Sequence, residues 1–531
     1  MRLRKIWKLL AVSGLATGGL ATLYATYYDD WQFRSFGVVR FARAGFTIGR
    51  ITVDYKWSLR NLDASCDSYP LTLSRAHKRS ADRLLSLACA NGGVWIKLGQ
   101  HLSALEYLLP SEYTSTLSVL YSRGPESTFD EICGVVRQEL KIQDCAFLSY
   151  FIKRRDLSEA FSSFDHEPIG AASLAQVYRA RTLDGRDVAV KVQHPKVKSH
   201  SMVDMFTVEI LVKFVARVFP EFRLSWLVDE MKKNLPNELA FLTEAENTER
   251  VKKMFQHLSF LVVPDICWDL STDRCLVMEY CEGGQINDLA YIRSHNISTS
   301  EVCRKLGQLY SEMIFEHGYV HCDPHPGNVL VRRSHGIVEL VLLDHGLYTV
   351  LPDQIRLNYA SFWLALLDRD LDSMRVHASQ LGVGHLYGLF ACMVTQRSWR
   401  SITAGIDRHA MSRAENEEIQ QYVTSWLPQI SHVLERVPRP MVLVFKTNDL
   451  LRGIEYVLGQ KHSPLGFVQM SKYCVHTVYM EKLSDLLNDQ GAKCECTSSD
   501  EQSDHTQTLF DAQCEHVVLQ PLVGLTTDRT Q

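Results

Sequence analysis

The order of four polar residues along the chain constrains its fold more than any other sequence feature. Asp323 and Asn328 lie five residues apart in the segment HCDPHPGN, and an apolar run ends at Asp344 shortly afterwards. Far upstream, the alternating segment VAVK ends at Lys191. The Lys191 and Asp344 positions end segments whose pattern is typical of strands. We therefore expect a fold that brings the ends of several strands together at one cleft.

These residue types in this order match the requirements of phosphoryl transfer. Such a site needs a cation on the phosphates, oxygen ligands for Mg²⁺ and a carboxylate beside the attacking hydroxyl. Lys191 is predicted to supply the cation, Asn328 and Asp344 to hold Mg²⁺, and Asp323 to accept the hydroxyl proton. The spacing of Asp323 and Asn328 is that of a kinase catalytic loop. Together they predict an ATP- and Mg²⁺-binding site.

Two further interpretations concern the neighbours of this set. A lysine in an apolar cleft needs a carboxylate partner, and Glu244, on the predicted helix that follows, is the best candidate for Lys191. His321 and His325 flank Asp323, so a transition-metal site is an alternative to the phosphoryl interpretation. In the simpler alternative, His321 fixes the loop by a hydrogen bond to its own backbone or to Asp344.

The pattern of secondary structure changes along the chain from helical to sheet-rich and back to helical. Helices are predicted at 75–90, from Val94, at 202–218 and at 237–255, and strands at 174–180 and 187–193 around the hairpin signal Asp184-Gly185. Short strands are also predicted at 261–264 and 275–278, and at 328–331 and 339–343 within the helical second half. This predicts an α+β, bilobal protein-kinase-like fold with a helical N-terminal extension and an α-rich C-lobe. The predicted divisions are 1–30 (targeting or anchor segment), 31–160 (extension), 161–283 (N-lobe), 284–485 (C-lobe) and 486–531 (polar, disordered tail).

The predicted nucleotide loop departs from the glycine-rich kinase pattern. The segment Ile169-Gly170-Ala171-Ala172-Ser173 offers one glycine where Gly-x-Gly-x-x-Gly is usual, so it has less freedom at positive φ. We expect this loop, with Met278 and Tyr280 at the crossover between the lobes, to contact the nucleotide. No Ala-Pro-Glu segment follows Asp344, and 354–367 is already a predicted helix. This leaves little room for a peptide substrate.

The N-terminus indicates a membrane or an organelle. Four basic residues within the first eight precede a run of 20 uncharged residues, 9–28, the length that spans a bilayer as a helix. A mitochondrial presequence, a membrane anchor and a secretory signal all fit this order. The scattered cysteines are typical of free thiols in a reducing compartment, which disfavours secretion. We expect mitochondrial import with the segment retained in the inner membrane. The net charge of −4 gives no reason to expect nucleic-acid binding.

At these residues the sequence resembles the UbiB (AarF-domain) family of atypical kinases. The resemblance covers residues 85–480 and includes Lys97-Leu-Gly-Gln100, Ala171-Ala-Ser173 and the segment from His321 to Asn328. It implies that the extension folds over the nucleotide cleft, with Lys97, Gln100 and Glu238 in a regulatory role, and that Glu244 partners Lys191. Ala240 stands where the family's Glu-x-Asp motif has Asp, so that motif does not provide a second carboxylate for Lys97. The apolar stretch 145–151 resembles an insertion.

Three functions are consistent with these observations. The first is an atypical kinase or ATPase acting on a lipid or small molecule, which the resemblance links to mitochondrial membrane and ubiquinone-related homeostasis. Its expected partners are a nucleotide, mitochondrial membrane lipids and inner-membrane proteins. The second is a nucleotide-binding, pseudokinase-like scaffold that organises inner-membrane proteins. The third, a serine/threonine protein kinase, is the least favoured because the extension and the missing activation segment obstruct a peptide.

Overall fold

The structure is a computed structural model that describes residues 37–62, 66, 68–105, 109–121, 126–141, 157–220, 224–405, 415, 426, 429–430, 432–460 and 465–489. The predicted anchor, the 145–151 insertion and residues 490–531 of the predicted tail lie outside these residues. The predicted start of the tail at 486 was wrong, because residues 486–489 belong to the helix Leu465–Asp489. No helix in the described part of the chain is long and apolar enough to cross a membrane. The two lobes and the helical extension confirm the predicted α+β class.

The N-terminal extension is helical. It comprises α1 (Gly37–Ser58), α2 (Tyr69–Asn91), α3 (Val94–Ser103), α4 (Ser111–Leu117) and α5 (Phe129–Leu140). The chain turns sharply between α2 and α3 at Gly92 and Gly93, whose φ values of 66° and 51° favour glycine. Thr128 and Glu131 cap the start of α5 reciprocally. The extension therefore folds back on itself, which directs α3 toward the catalytic half of the molecule.

The N-lobe is built on an antiparallel sheet. Its strands are β1 (Phe161–Phe164), β2 (Gly170–Ala171), β3 (Ala175–Thr182), β4 (Asp187–Gln193) and β6 (Cys275–Glu279), in the order β1-β3-β4-β6 with β2 on β3. The predicted Asp184-Gly185 hairpin joins β3 to β4, with Gly185 at a φ of 87°. One face of the sheet packs on α5 through Tyr178 and Val190, and the other buries Phe241. This double burial explains the apolar run before Lys191.

Three helices lie between β4 and β6: α6 (Val197–Val218), α7 (Ser225–Glu238) and α8 (Phe241–Met254). The helix predicted over 237–255 is present as α8, but it begins at Phe241, and 237–238 end the preceding helix. The chain leaves the helix at Ala240, which is extended, and the Phe241 amide donates to the carbonyl of Asp273 at 3.1 Å. The buried Phe241 ring holds the new helix under the sheet. Because the helix breaks here, the carboxylates of Glu238 and Glu244 can contact two different lysines.

The C-lobe surrounds a second sheet with helices. The strands β5 (Leu261–Val262), β7 (Gly284–Gln285), β9 (Val329–Ser334) and β10 (Ile337–Leu342) pair in the order β5-β10-β9-β7. Its helices are α9 (Leu289–Ser294), α10 (Thr299–Phe315), α11 (Asp353–Asp368), α12 (Leu371–Gln380), α13 (Tyr387–Thr395), α14 (Trp399–Ala404), α15 (Arg439–Val457) and α16 (Leu465–Asp489). A large apolar core joins α11, α13 and α15 to the extension.

Strand pairing in the C-lobe assembles the catalytic segment. The register of β9 with β10 places Val329 opposite Leu342, so the residues just before β9 and just after β10 lie side by side. A second pair, β8 (Tyr319–His321) with β11 (Tyr348–Val350), brings the next segment alongside. The sequence did not predict β8 and β11, because three residues are too few for a periodic signal. Together the two pairs bring 322–328 and 343–347 into contact.

A buried ion pair attaches the extension to the N-lobe and supplies a test of the fold. Arg40 on α1 and Asp204 on α6 form a bidentate pair whose side chains are 6% and 1% exposed. We expect Asp204→Ala to destabilise the protein by about 3–5 kcal/mol, because it leaves a buried guanidinium without its carboxylate. The matched control is Asp82→Ala, which removes the exposed pair with Lys78 and should cost at most about 1 kcal/mol. Urea unfolding followed by circular dichroism measures both, and equal losses would contradict this account.

Candidate active site

Lys191 joins the two lobes through carboxylates. The residue lies on β4. Its ammonium donates to both Glu244 oxygens, at 2.7 and 2.8 Å, and to Asp344 Oδ2 at 3.2 Å. Burial alone would lower the pKa of Lys191, but Asp344 and Glu244 outweigh it and raise the pKa above its ordinary value. The lysine therefore remains a cation. The predicted Lys191–Glu244 contact is present, and Asp344 is a further partner that was not predicted.

Asn328 and Asp344 lie where the strand register puts them. The Asn328 side-chain amide donates to the Asp323 carbonyl at 3.1 Å, so its Oδ1 is the atom that can face a cation. Asp344 Oδ1 accepts from the Gly346 amide at 2.9 Å, and its side chain is 31% exposed. Burial would raise the pKa of Asp344, but Lys191 and the Gly346 amide hold it below the usual range. The pair therefore offers one amide and one carboxylate oxygen to a hard cation.

The predicted catalytic base is held by two lysines. Asp323 Oδ2 accepts from Lys97 at 3.2 Å, and Oδ1 accepts from Lys446 at 2.8 Å. Burial would raise the pKa of Asp323, but Lys446 and Lys97 outweigh that effect and hold the pKa well below its ordinary value. Asp323 is thus an ionised carboxylate with both oxygens engaged.

Lys446 is a site residue that sequence reasoning missed. It lies on α15, 123 residues beyond Asp323, and is 5% exposed. The available signal was its position directly after the apolar run Val442-Leu-Val-Phe445 on a helix, since a lysine on a buried helical face needs an acidic partner. Nothing in the spacing could identify that partner.

The extension reaches the catalytic loop directly. Lys97 on α3 contacts Glu238 at 3.0 Å as well as Asp323. Asp323 thereby supplies the second carboxylate that Ala240 cannot provide. Tyr121, in the short 3₁₀ turn after α4, lies with its ring 5.1 Å from that of His325. The Gln100 side chain donates to the carbonyl of Leu120 at 3.0 Å and so fixes this turn.

The histidines of the loop are structural. His321 shares a hydrogen bond of 2.7 Å with the Tyr310 hydroxyl and also interacts with the backbone of Asp344, and burial lowers its pKa to about 4. His325 Nδ1 accepts from the Gly327 amide at 3.1 Å. Among the described residues, His321, Asp323 and His325 do not bring three ligand atoms together. The structure therefore gives no support to the transition-metal interpretation.

The predicted nucleotide loop is a tight turn. Gly170 and Ala171 form β2 against β3, and the Ala172 amide donates to the carbonyl of Ala175 at 2.8 Å. Ser173 is buried, whereas Ile169 is exposed. Behind this turn, an apolar group lines the underside of the sheet and includes Val177, Ala189, Met278 and Tyr280. The Tyr280 ring lies under the Arg179 guanidinium at 4.6 Å.

The two lysines on Asp323 yield a stability prediction. Because the pKa of Asp323 is lowered in the folded state, its ionisation stabilises the fold above the unfolded pKa of about 3.9, and this contribution is lost as pH falls toward the folded value. We expect Lys446→Met to destabilise the protein by about 3–5 kcal/mol at pH 7, since it leaves a buried carboxylate undercompensated. Lys446→Arg, which keeps the charge, should lose less.

The difference in stability between wild type and Lys446→Met should shrink as pH falls through the pKa that Asp323 has in the folded variant, because protonation of Asp323 removes the cost of its missing partner. Urea unfolding midpoints at a series of pH values measure this. A difference that stays constant as Asp323 is protonated would show that the lysine acts through packing alone.

Comparison with known proteins agrees with this geometry. The protein-family model named ABC1 atypical kinase-like domain matches residues 151–378 of the sequence. This range includes Lys191, Asp323, Asn328 and Asp344. The chain is 49% identical over 471 residues to AarF domain-containing protein kinase 1 of Xenopus tropicalis, covering 88% of this chain and 87% of the relative. It is 47% identical to the mouse protein of that name over 91% of this chain and 90% of the relative. The Drosophila melanogaster AarF domain-containing kinase 1 is 46% identical, with 88% of each covered. The chain therefore belongs to the AarF-domain (ABC1, UbiB) family of atypical kinases.

Proposed function

We propose that the chain is an ATP- and Mg²⁺-dependent phosphotransferase or ATPase that acts on a lipid or another small molecule at the mitochondrial inner membrane. The observation that carries the proposal is the buried Lys191 ammonium held between Glu244 and Asp344. A fixed cation beside a partly exposed carboxylate and the Asn328 amide suits the phosphates of a nucleotide. The apolar group under the N-lobe sheet suits the aromatic base of a nucleotide.

The residues of the cleft divide the chemistry between them. Lys191 would neutralise phosphate oxygens, and Asn328 and Asp344 would hold Mg²⁺ through their oxygens. The bound ion would supply charge neutralisation on the phosphates. Asp323 would face the attacking hydroxyl or water once Lys97 or Lys446 moves from its oxygens. The lysines cost Asp323 basicity but keep it ionised, which a proton acceptor requires.

A small substrate fits the surroundings better than a peptide. Tyr121 and Lys97 of the extension contact the catalytic loop where a peptide hydroxyl would approach. Only eight residues, 345–352, separate Asp344 from the first residue of α11, so no activation segment lies there. The basic N-terminus and the uncharged run 9–28 support a membrane location, and with it a hydrophobic substrate.

A second candidate is the nucleotide-binding scaffold. The double lysine contact on Asp323 favours it, because a base with both oxygens engaged is suited to holding a conformation rather than to accepting a proton. The two candidates share nucleotide binding and differ in turnover.

Nucleotide binding is tested by thermal unfolding of the purified full chain. We expect ATP with Mg²⁺ to raise the unfolding temperature, since a ligand at 100 times its Kd stabilises by about 2.7 kcal/mol. Asp344→Asn should lose the part of the shift that depends on Mg²⁺. The control Asp353→Asn changes an exposed aspartate at the start of α11 and should keep the full shift. If neither ATP nor ADP stabilises the wild type, both candidate functions are wrong.

Turnover separates the two candidates. We expect wild type to hydrolyse ATP or transfer its phosphate in the presence of lipid vesicles, and Asp323→Asn to lose about 100-fold or more, as removal of a proton acceptor does. The thermal shift with ATP and Mg²⁺ should persist in that variant. Phosphate release by wild type no faster than by Asp323→Asn would favour the scaffold.

A further inference from the structure

Two neighbouring helices, α1 and α6, expose apolar stripes. On α1, Val38, Phe46, Val53 and Trp57 are each about two-thirds exposed or more, at 65–72%. On α6 the exposed residues, spaced like one helical face, are Met202, Val203, Phe206, Ile210 and Phe214, with Met202 at 80%. Monomeric soluble proteins rarely leave apolar surface of this extent uncovered.

The two stripes are held beside each other by the packing of α1 on α6. Near their starts, the buried Arg40–Asp204 pair joins the helices, and a Cβ on Gly37 would lie 3.2 Å from Val203. Near their ends, the rings of Tyr55 and Phe219 lie 5.7 Å apart. The helices therefore run side by side in the same direction. We call the exposed side chains of α1 and α6 the α1–α6 face.

The charges on the α1–α6 face are predominantly basic. Outside the buried Arg40–Asp204 pair, the two helices carry six Lys or Arg residues and two acidic residues, 6 − 2 = +4. Each acidic residue is engaged in a salt bridge: Asp54 with Arg79 and Arg83, Asp204 with Arg40, and Glu209 with Lys213 and Lys232. Unbalanced basic charge beside apolar surface is complementary to a layer of anionic headgroups above hydrocarbon.

The arrangement of aromatic and basic side chains matches that of an interface between water and lipid. The Arg60 guanidinium lies 3.6 Å from the centre of the Trp57 ring, and Arg50 lies 5.7 Å from that of Phe46. Phe46, Val53 and Trp57 also line one groove together with Arg50 and Arg83. Rings of this kind enter the headgroup layer while the arginines remain with the phosphates.

The position of α1 in the sequence also favours a lipid bilayer as the occupant of the face. α1 begins at Gly37, and the uncharged run ends at Tyr28. The eight residues between them span at most about 30 Å when fully extended, at about 3.6 Å per residue. A bilayer that holds the run 9–28 therefore lies within reach of α1.

We propose that the α1–α6 face docks on the surface of an anionic lipid bilayer, with its apolar side chains in the headgroup layer. The proposal rests on the proposed membrane location but not on nucleotide turnover. It orients the molecule with the extension toward the lipid.

The test uses the full chain reconstituted in phosphatidylcholine vesicles that contain phosphatidylglycerol. Phe206 is replaced by a genetically encoded, environment-sensitive fluorescent amino acid. The matched control carries the same replacement at Leu183, an apolar residue of similar exposure in the N-lobe. Lipids with a spin label on the acyl chain serve as the quencher. We expect emission at position 206 to shift to shorter wavelength and to be quenched, and emission at position 183 to do neither.

Charge reversal by Arg50→Glu with Arg60→Glu should reduce quenching at position 206 while the chain remains in the vesicles. A fluorophore at 206 as accessible to water as the one at 183 would overturn the proposal. So would shielding at 206 without quenching by lipid, which would indicate a second copy of the chain or its own N-terminal segment on the face. ATP turnover of the same samples is read separately, so a loss of activity does not decide this test.

Discussion

Buried lysines and carboxylates in the cleft compensate one another's charge and hold the extension and the two lobes together. Three lysines, Lys97, Lys191 and Lys446, lie among the four carboxylates Glu238, Glu244, Asp323 and Asp344. Their formal sum is 3 − 4 = −1, and a buried charge left alone would be far more costly than any of these pairs. The extension, the N-lobe and two parts of the C-lobe each supply at least one member. Removing any one of these parts would leave a buried charge without its partner.

This division of charge explains why the extension belongs to the catalytic half. In the kinase pattern an aspartate beside the nucleophile is open to a substrate hydroxyl, whereas here Lys97 and Lys446 occupy its two oxygens. These two contacts keep Asp323 ionised and also obstruct its oxygens. Movement of α3 would therefore change access and basicity together. Helix α1 of the proposed membrane-docking face and α3, whose Lys97 contacts Asp323, both belong to the extension.

Much of the site could be predicted from the sequence because its residues lie in short segments with their own local pattern. Lys191 ends an alternating strand, and Asp323 and Asn328 share one loop, so their proximity follows from strand pairing. The contact of Lys97 with Glu238 followed only from the family resemblance, since an isolated lysine near a helix start carries no signal. Lys446 was missed because its partner is distant in sequence. The break at Ala240 was missed because a buried ring and one backbone hydrogen bond overrode a continuous helical pattern.

We propose that Lys191 contacts the phosphates of a bound nucleotide. An ATP analogue that carries an acyl group on its terminal phosphate tests this contact. Such a reagent acylates the lysine beside the phosphates, and mass spectrometry identifies the modified residue. We expect modification of Lys191 in preference to the exposed Lys78, with protection by excess ATP and Mg²⁺. Modification confined to exposed lysines, or modification of Lys191 that ATP does not prevent, would contradict it.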